Sequence, residues 1–258
     1  MSTLDGPTRF ARFAYPPNAL GYCGPDDHTA MLEYGATRAA GVSDGGLRDL
    51  ARRFEGAWPY LRLIAGCNHL DDPLDARVVE AYWIGNELLD AVSDFDLGTS
   101  MTERFSGPAG NTFERLTATI GHGGRPHHCF HVFAVYPFVG LLRAGAVEQP
   151  LHVLDRCRIR WGRVVDTVGE QVLVRSRPLV WDGTAIGLGA ACVEPAVAAH
   201  DGLTFVESLQ PGDWVALHWD WICERLDRRQ LANLRRITGQ QLAVVNATAF
   251  PAPAHVLA

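Results

Sequence analysis

The sequence predicts an α+β protein: helical over its first 150 residues, then a small barrel of short strands closed by a C-terminal helix. Three observations carry this. Apolar residues recur at helical spacing before residue 150. After it, short runs rich in β-branched residues alternate with Gly, Pro and Asp turns. Near the end, Asp227 and Gly239 bracket one more helix as cap and stop. The predicted units are 1–150, 151–243 and a C-terminal tail, 244–258. The first boundary falls in "AGAVEQPLHVLDR".

In chain order, "AYPPNALGYCGPDDH" predicts a rigid turn at Pro16-Pro17, ending in Cys23-Gly24-Pro25 just before a helix. "DDHTAMLEYGATRAAG" predicts that helix, with acids at its start and Gly41 after its end. "GLRDLARRFEGAWPYLRLIAG" predicts one helix or two, because Pro59 kinks or breaks it. "DDPLDARVVEAYWIGNELLDAV" predicts a long helix, with Asp72 as cap and Pro73 in the first position. Leu74, Val78, Tyr82, Leu89 and Val92 fall close to one face of it. "NTFERLTATIG" and "HCFHVFAVYPFVGLLRAG" complete the helical set. Beyond residue 150, "CRIRWGRVV" predicts a first strand and "VGEQVLV" a strand–turn–strand with Gly169 in the turn. Leu203–Val206 and Asp213–His218 predict further strands, and "LDRRQLANLRRITG" the closing helix. Several short strands with one helix predict a partly closed barrel of the oligonucleotide-binding (OB-like) type.

Composition excludes some functions. The formal net charge is −6 and no basic stripe occurs, so nucleic acid is not an expected partner. The most apolar stretch, around 130–142, is shorter than the ~20 residues of a membrane span and contains Pro137. "MSTLDGPTRFARF" lacks the apolar run of a signal peptide, and a cytoplasmic protein is expected. The six cysteines are scattered without a CxxC pair, so they are expected to be thiols rather than disulfides.

"CRIRWGRVV", from Cys157, is followed downstream by "PGDWVALHWDWICERLDRRQLANL". Together they resemble the HypC/HupF family of [NiFe]-hydrogenase maturation chaperones. Cys157 stands at the family cysteine, Gly162-Arg163-Val164 at its Gly-Arg-Val, Gly212-Asp213-Trp214-Val215 at its later motif and His218 at its histidine. The match covers about residues 155–240. It departs from the family in several places: Cys157 is internal rather than next to the initiator methionine, Trp161 replaces a proline, and Trp219-Asp220 replaces Gly-Phe. The resemblance implies a barrel that carries an iron centre bearing cyanide and carbon monoxide. It also implies a hydrogenase large subunit or a maturation scaffold protein as partner, with Cys157 and His218 as the cofactor-binding pair. Thiolate and imidazole suit such an iron. On an alternating strand, Arg156, Arg158 and Arg160 share the face opposite Cys157 and lower its pKa only indirectly. Left to composition alone, Cys157 reads as a half-buried thiol and His218 as a core histidine satisfied by a carbonyl.

The helical half holds a second candidate site. "GHGGRPHHCFHVF" brings His127, His128 and His131 within one helical turn, a spacing that suits a metal with a further ligand from Cys23, Cys67 or His69. The same histidines also suit a polar cluster at a pocket or domain junction, with Phe130, Phe133 and Tyr136 filling the core. A cysteine just before a helix is expected to have a lowered pKa. Two functions therefore stand side by side. One is a non-catalytic hydrogenase maturation factor. The other is a metal- or thiol-dependent enzyme built on the histidine cluster and Cys23.

Overall fold

The computed structural model describes residues 4–26, 28–36, 45–105, 111–169 and 171–248, with the side chains of 111–115 set aside. The tail beyond residue 248 and the Gly41 helix stop lie outside the described residues. The chain is α+β, helical first, then strands and a last helix. No helix among the described residues is long and apolar enough to cross a membrane.

The first helix, α1 (Gly6–Ala19), absorbs the Pro16-Pro17 pair that the sequence reading assigns to a turn. Asp5 caps it by accepting the Thr8 N–H, and its first turn lies hard against the chain at Leu74. A methyl added at Gly6 would sit 1.8 Å from the Leu74 carbonyl oxygen. Gly6→Ala is therefore expected to destabilise the protein by about 1–3 kcal/mol, since backbone must move. An unchanged urea midpoint would show that this approach is not close.

Next come α2 (His28–Ala36), α3 (Gly45–Arg52) and α4 (Trp58–Cys67). The chain does break between α3 and α4, but ahead of Pro59, which sits in α4's first turn. The long helix expected from Asp72 is shorter. Asp72 instead accepts the Leu74 N–H and pairs with Arg48, and Asp75 caps α5 (Ala76–Trp83). Gly85, at φ 97°, ends the helical path, and Asn86 caps a 3₁₀ turn, Glu87–Ala91. The apolar positions are nonetheless right: Leu74, Val78, Tyr82, Leu89 and Val92 are all buried. Then follow α6 (Asp94–Phe105), α7 (Asn111–Gly121), α8 (His128–Phe130), a π-helical turn at His131–Val135, α9 (Phe138–Arg143) and α10 (Glu148–Cys157).

Cys157 thus ends a helix instead of opening a strand. Leu151, Val153, Leu154 and Cys157 are spaced for a helix, and the Arg158 N–H still reaches the Leu154 carbonyl. Strand β1 (Arg160–Val168) begins three residues later and turns at Gly169 into β2 (Gln171–Ser176), as expected. Beyond them are β3 (Leu179–Trp181), β4 (Ile186–Leu188), β5 (Cys192–Val197), β6 (Ala199–His200), β7 (Leu203–Thr204), β8 (Trp214–His218) and β9 (Trp221–Arg225). The last helix, α11 (Arg228–Ala247), starts at the Asp227 capping box but runs straight through Gly239. Helix therefore replaces the start of the predicted tail at 244. The buried face at Leu242, Val244 and Val245 outweighs the ~1 kcal/mol cost of one interior glycine.

The main sheet pairs in the order β1-β2-β5-β9-β8, and β8 pairs back onto β1, closing the ring. All of its pairings are antiparallel except β5–β9. Val164, Val174, Val215, Leu217 and Ile222 fill its interior. The largest apolar cluster continues from the helices into the strand region, joining Phe10, Tyr82 and Trp83 to Phe205, Ala216 and Leu234. Residue 150 itself lies within α10. One buried ion network ties the halves: Arg9 on α1 forks onto Glu224 of β9, and Arg229 of α11 pairs with Glu80 of α5.

Candidate metal centre

Antiparallel pairing sets the site. Arg160 of β1 faces Leu217 of β8, so the chain just before β1 runs past the end of β8. The Trp219 N–H donates to the Arg156 carbonyl at 2.7 Å and extends this contact into α10. Cys157 and His218 are brought together by it. His128, at the start of α8, comes in from the helical side. One ligand atom from each of His128, Cys157 and His218 lies within 4.8 Å of the other two. Ligands around one tetrahedral ion stand roughly 3.3–3.8 Å apart, so an inward shift of about 1 Å would seat one. A thiolate with two imidazoles suits a borderline-soft transition metal such as iron or zinc.

The hydrogen bonds around His218 orient its ring. Its Nδ1–H donates to the Phe13 carbonyl at 2.6 Å. That carbonyl is free because its helical partner, residue 17, is proline and has no N–H. The Pro16-Pro17 pair thus works at a distance, holding His218 in the Nδ1–H tautomer. Its Nε2 is buried and makes no well-formed hydrogen bond to any described residue, although the Cys157 backbone lies close to the ring. Pro17→Ala restores a competing N–H, and the Nδ1–H resonance of His218 in ¹⁵N NMR is expected to weaken or enter exchange. Full retention of that signal would show that the proline plays no part.

His128 is differently placed. Its Nε2–H donates to the Cys157 carbonyl at 2.8 Å, with the Cys157 Sγ at 3.9 Å. Its Nδ1 lies 3.3 Å from the Tyr82 hydroxyl, which also reaches the Gly56 carbonyl at 3.3 Å. To offer Nε2 to a metal, the ring must move its proton to Nδ1. Tyr82 can follow by accepting that N–H and turning its own O–H to Gly56.

Every titratable group here is held neutral. Burial lowers His128 to about 4, against the small opposing effect of its bond to the Cys157 carbonyl. Burial, then the neighbouring His128, pushes His218 well below its ordinary value. Burial pushes the Cys157 thiol well above its ordinary value, helped by Cys23 and Cys129. The arginines expected to lower it are spent elsewhere: Arg156 and Arg160 on Glu194, Arg158 on Asp155. A metal entering this site would release the thiol proton.

The other predicted ligands divide. His127 caps α8, its Nδ1 accepting the Cys129 N–H at 3.0 Å, and it is not in the ligand group. His131 packs on Tyr60, whose hydroxyl lies 3.4 Å from its Nδ1. Cys23 is in the same cavity as the group but is not a member of it. Burial raises its thiol to about 12, the reverse of the expected helix-terminus effect. Phe130 and Phe133 are core residues as expected, whereas Tyr136 lines the cavity.

That cavity, of about 240 Å³, opens beside the three ligands. Tyr22, Phe54, Trp83, Phe138 and Trp219 form much of its wall, with His131 and Cys23. Sequence reasoning missed Trp219 and Tyr82 as site residues. The one local signal was the replacement of the family glycine by Trp219, which occupies a left-handed backbone at φ 51°.

A family model described as a family of unknown function (DUF6390) matches residues 2–252, and the chain belongs to that family. No curated protein matches the chain, and no solved structure does.

Proposed function

We propose that this DUF6390-family chain is a non-catalytic maturation factor for a [NiFe]-hydrogenase, holding an iron cofactor precursor for the large subunit or a maturation scaffold. The convergence of Cys157, His218 and His128 on one cavity supports this most directly. Cys157 and His218 are the pair to which the HypC/HupF-like motifs point, and in this reading the closed strand ring with α11 is an OB-like, HypC-like domain. Iron bearing cyanide and carbon monoxide would be cargo. Cys157 supplies the thiolate, His218 and His128 supply imidazoles, and the surrounding aromatic wall limits water. The helical half closes over the face that would otherwise be open: α1 takes His218 through Phe13 and Glu224 through Arg9.

Cys157→Ala tests this in cells lacking the native copy. Hydrogenase activity is expected to fall to background while the variant still co-purifies with its partner. A Cys67→Ala control, outside the ligand group, should support normal activity. A folded Cys157→Ala protein that still supports an active hydrogenase would overturn the carrier role.

A second reading rests on one observation. Three protein ligands beside a cavity are also the pattern of a catalytic metal site with an open position. In that reading the enzyme uses His128, Cys157 and His218, with Cys23 and His131 as cavity wall. Turnover by the purified, metal-loaded chain in the absence of any hydrogenase partner would favour it.

A further inference from the structure

The cavity beside the ligand group has two further lining residues with an unsatisfied atom, Trp83 and Trp219, each at its indole N–H. Trp219 lines it and is only 5% exposed, and its indole N–H is buried with no partner among the described residues. Its backbone is held at a positive φ that bulky residues avoid. Three bonds or contacts fix it there. The Trp219 N–H donates to the Arg156 carbonyl, its own carbonyl accepts from Arg160 at 2.5 Å, and its ring stacks on Tyr22 at 4.4 Å. Strain of this kind persists where the surrounding structure over-determines it, and it gathers at ligand clamps. Three residues that line the cavity, His218, Trp219 and Trp83, thus each carry a buried polar atom without a hydrogen bond among the described residues.

Charge and volume narrow what can fill it. No Asp, Glu, Lys or Arg is among the cavity-lining residues described. A divalent ion held by one thiolate and two neutral imidazoles keeps one positive charge. In an apolar site that charge needs a counter-anion. A volume of about 240 Å³ exceeds the ~150 Å³ that accepts a benzene molecule, so a substituted ring fits.

We propose that the cavity seats a small monoanion with an apolar, ring-sized body, whose anionic atom takes the open position on the metal and accepts a hydrogen bond from Trp219 Nε1–H. This rests on His128, Cys157 and His218 being ligands of a divalent ion that brings no anion of its own, since a cyanide on a cargo iron would already supply the counter-charge. Soft ligation by Cys157 favours a thiolate head on the incoming ligand.

The test uses the full chain loaded with Co²⁺, titrated with thiophenolate, azide and toluene. Cobalt reports the metal site by its visible bands and its thiolate charge-transfer band. The expected result is a shifted visible spectrum with thiophenolate, at least roughly tenfold tighter than with azide, and none with toluene. Trp219→Phe keeps the ring and removes the N–H. It should weaken thiophenolate roughly tenfold, the range of one charge-assisted hydrogen bond, and leave Co²⁺ affinity unchanged. Equal binding of azide and thiophenolate, no spectral change, loss of cobalt to the thiophenolate solution, or an unaffected Trp219→Phe variant would each overturn the proposal. Absence of cobalt bands from the parent protein, by contrast, would overturn the metal site itself.

Discussion

Acidifying the metal-free protein from pH 7.5 to 5 is expected to unfold it, well before its carboxylates titrate. Four histidines, His127, His128, His131 and His218, are buried. Burial is the first cause of a lowered pKa in each. His127 falls to about 3 and His128 to about 4, and His131 and His218 fall well below 6.5. The mutual proximity of the rings adds to this, with His128 acting on the other three. In the unfolded chain each titrates near 6.5. Unfolding in this window therefore takes up protons, and stability must rise with pH. It is fully present above about 6.5 and lost as pH falls toward the folded-state values. Each histidine contributes at most about 1.4 kcal/mol per pH unit, so four remove roughly 4–5 kcal/mol between pH 6 and 5. That is comparable to the whole stability of many domains. Urea unfolding at pH 7.5, 6 and 5 measures it. His127→Asn keeps a capping side chain and should lower the slope by about a quarter. A stability curve flat across this range would mean that these rings are not buried as neutral groups.

Arg9→Met is expected to cost about 3–5 kcal/mol, because it strips the carboxylates it serves without removing them. Arg9 is 4% exposed. Its Nε and Nη2 each donate to Glu224 at 2.8 Å, and its Nη1 donates to the Ala76 carbonyl at 2.9 Å. Nη2 also lies 3.6 Å from Glu80. Without the guanidinium, Glu224 keeps Gln230 as its remaining hydrogen-bond donor among the described residues. The paired change Arg9→Met with Glu224→Leu should recover much of the loss, since a missing pair costs less than a stranded charge. Arg9→Lys should fall between, because an ammonium cannot fork onto both oxygens. Urea midpoints at constant slope decide this. A single Arg9→Met change costing less than about 1 kcal/mol would mean that α1 does not depend on this pair for its docking.

Much of the secondary structure was open to local reading because its causes are local. The Asp227 cap, the Gly169 turn and the buried spacing of Leu74, Val78 and Tyr82 each follow from chemistry within a few residues. Boundaries went astray where distant packing competes with a local signal. Gly239 does not stop α11, since an apolar face beyond it finds a buried seat. Pro16 and Pro17 remain helical, and one carbonyl they strand is taken by His218, about two hundred residues on.

The sequence by itself determined which residue types are present and in what order: a thiol and an imidazole in a motif-like frame, and a separate run of histidines. Only the tertiary structure decided which of them meet. The wrap of β8 past the end of α10 places His218 at Cys157, and the docking of α8 supplies His128 while His127 turns away as a cap. The same burial reverses the thiol chemistry, because desolvation overrides the flanking arginines once they are paired with carboxylates. Spacing along a chain constrains neighbours within a turn or a strand, but contacts across many tens of residues depend on how whole elements pack.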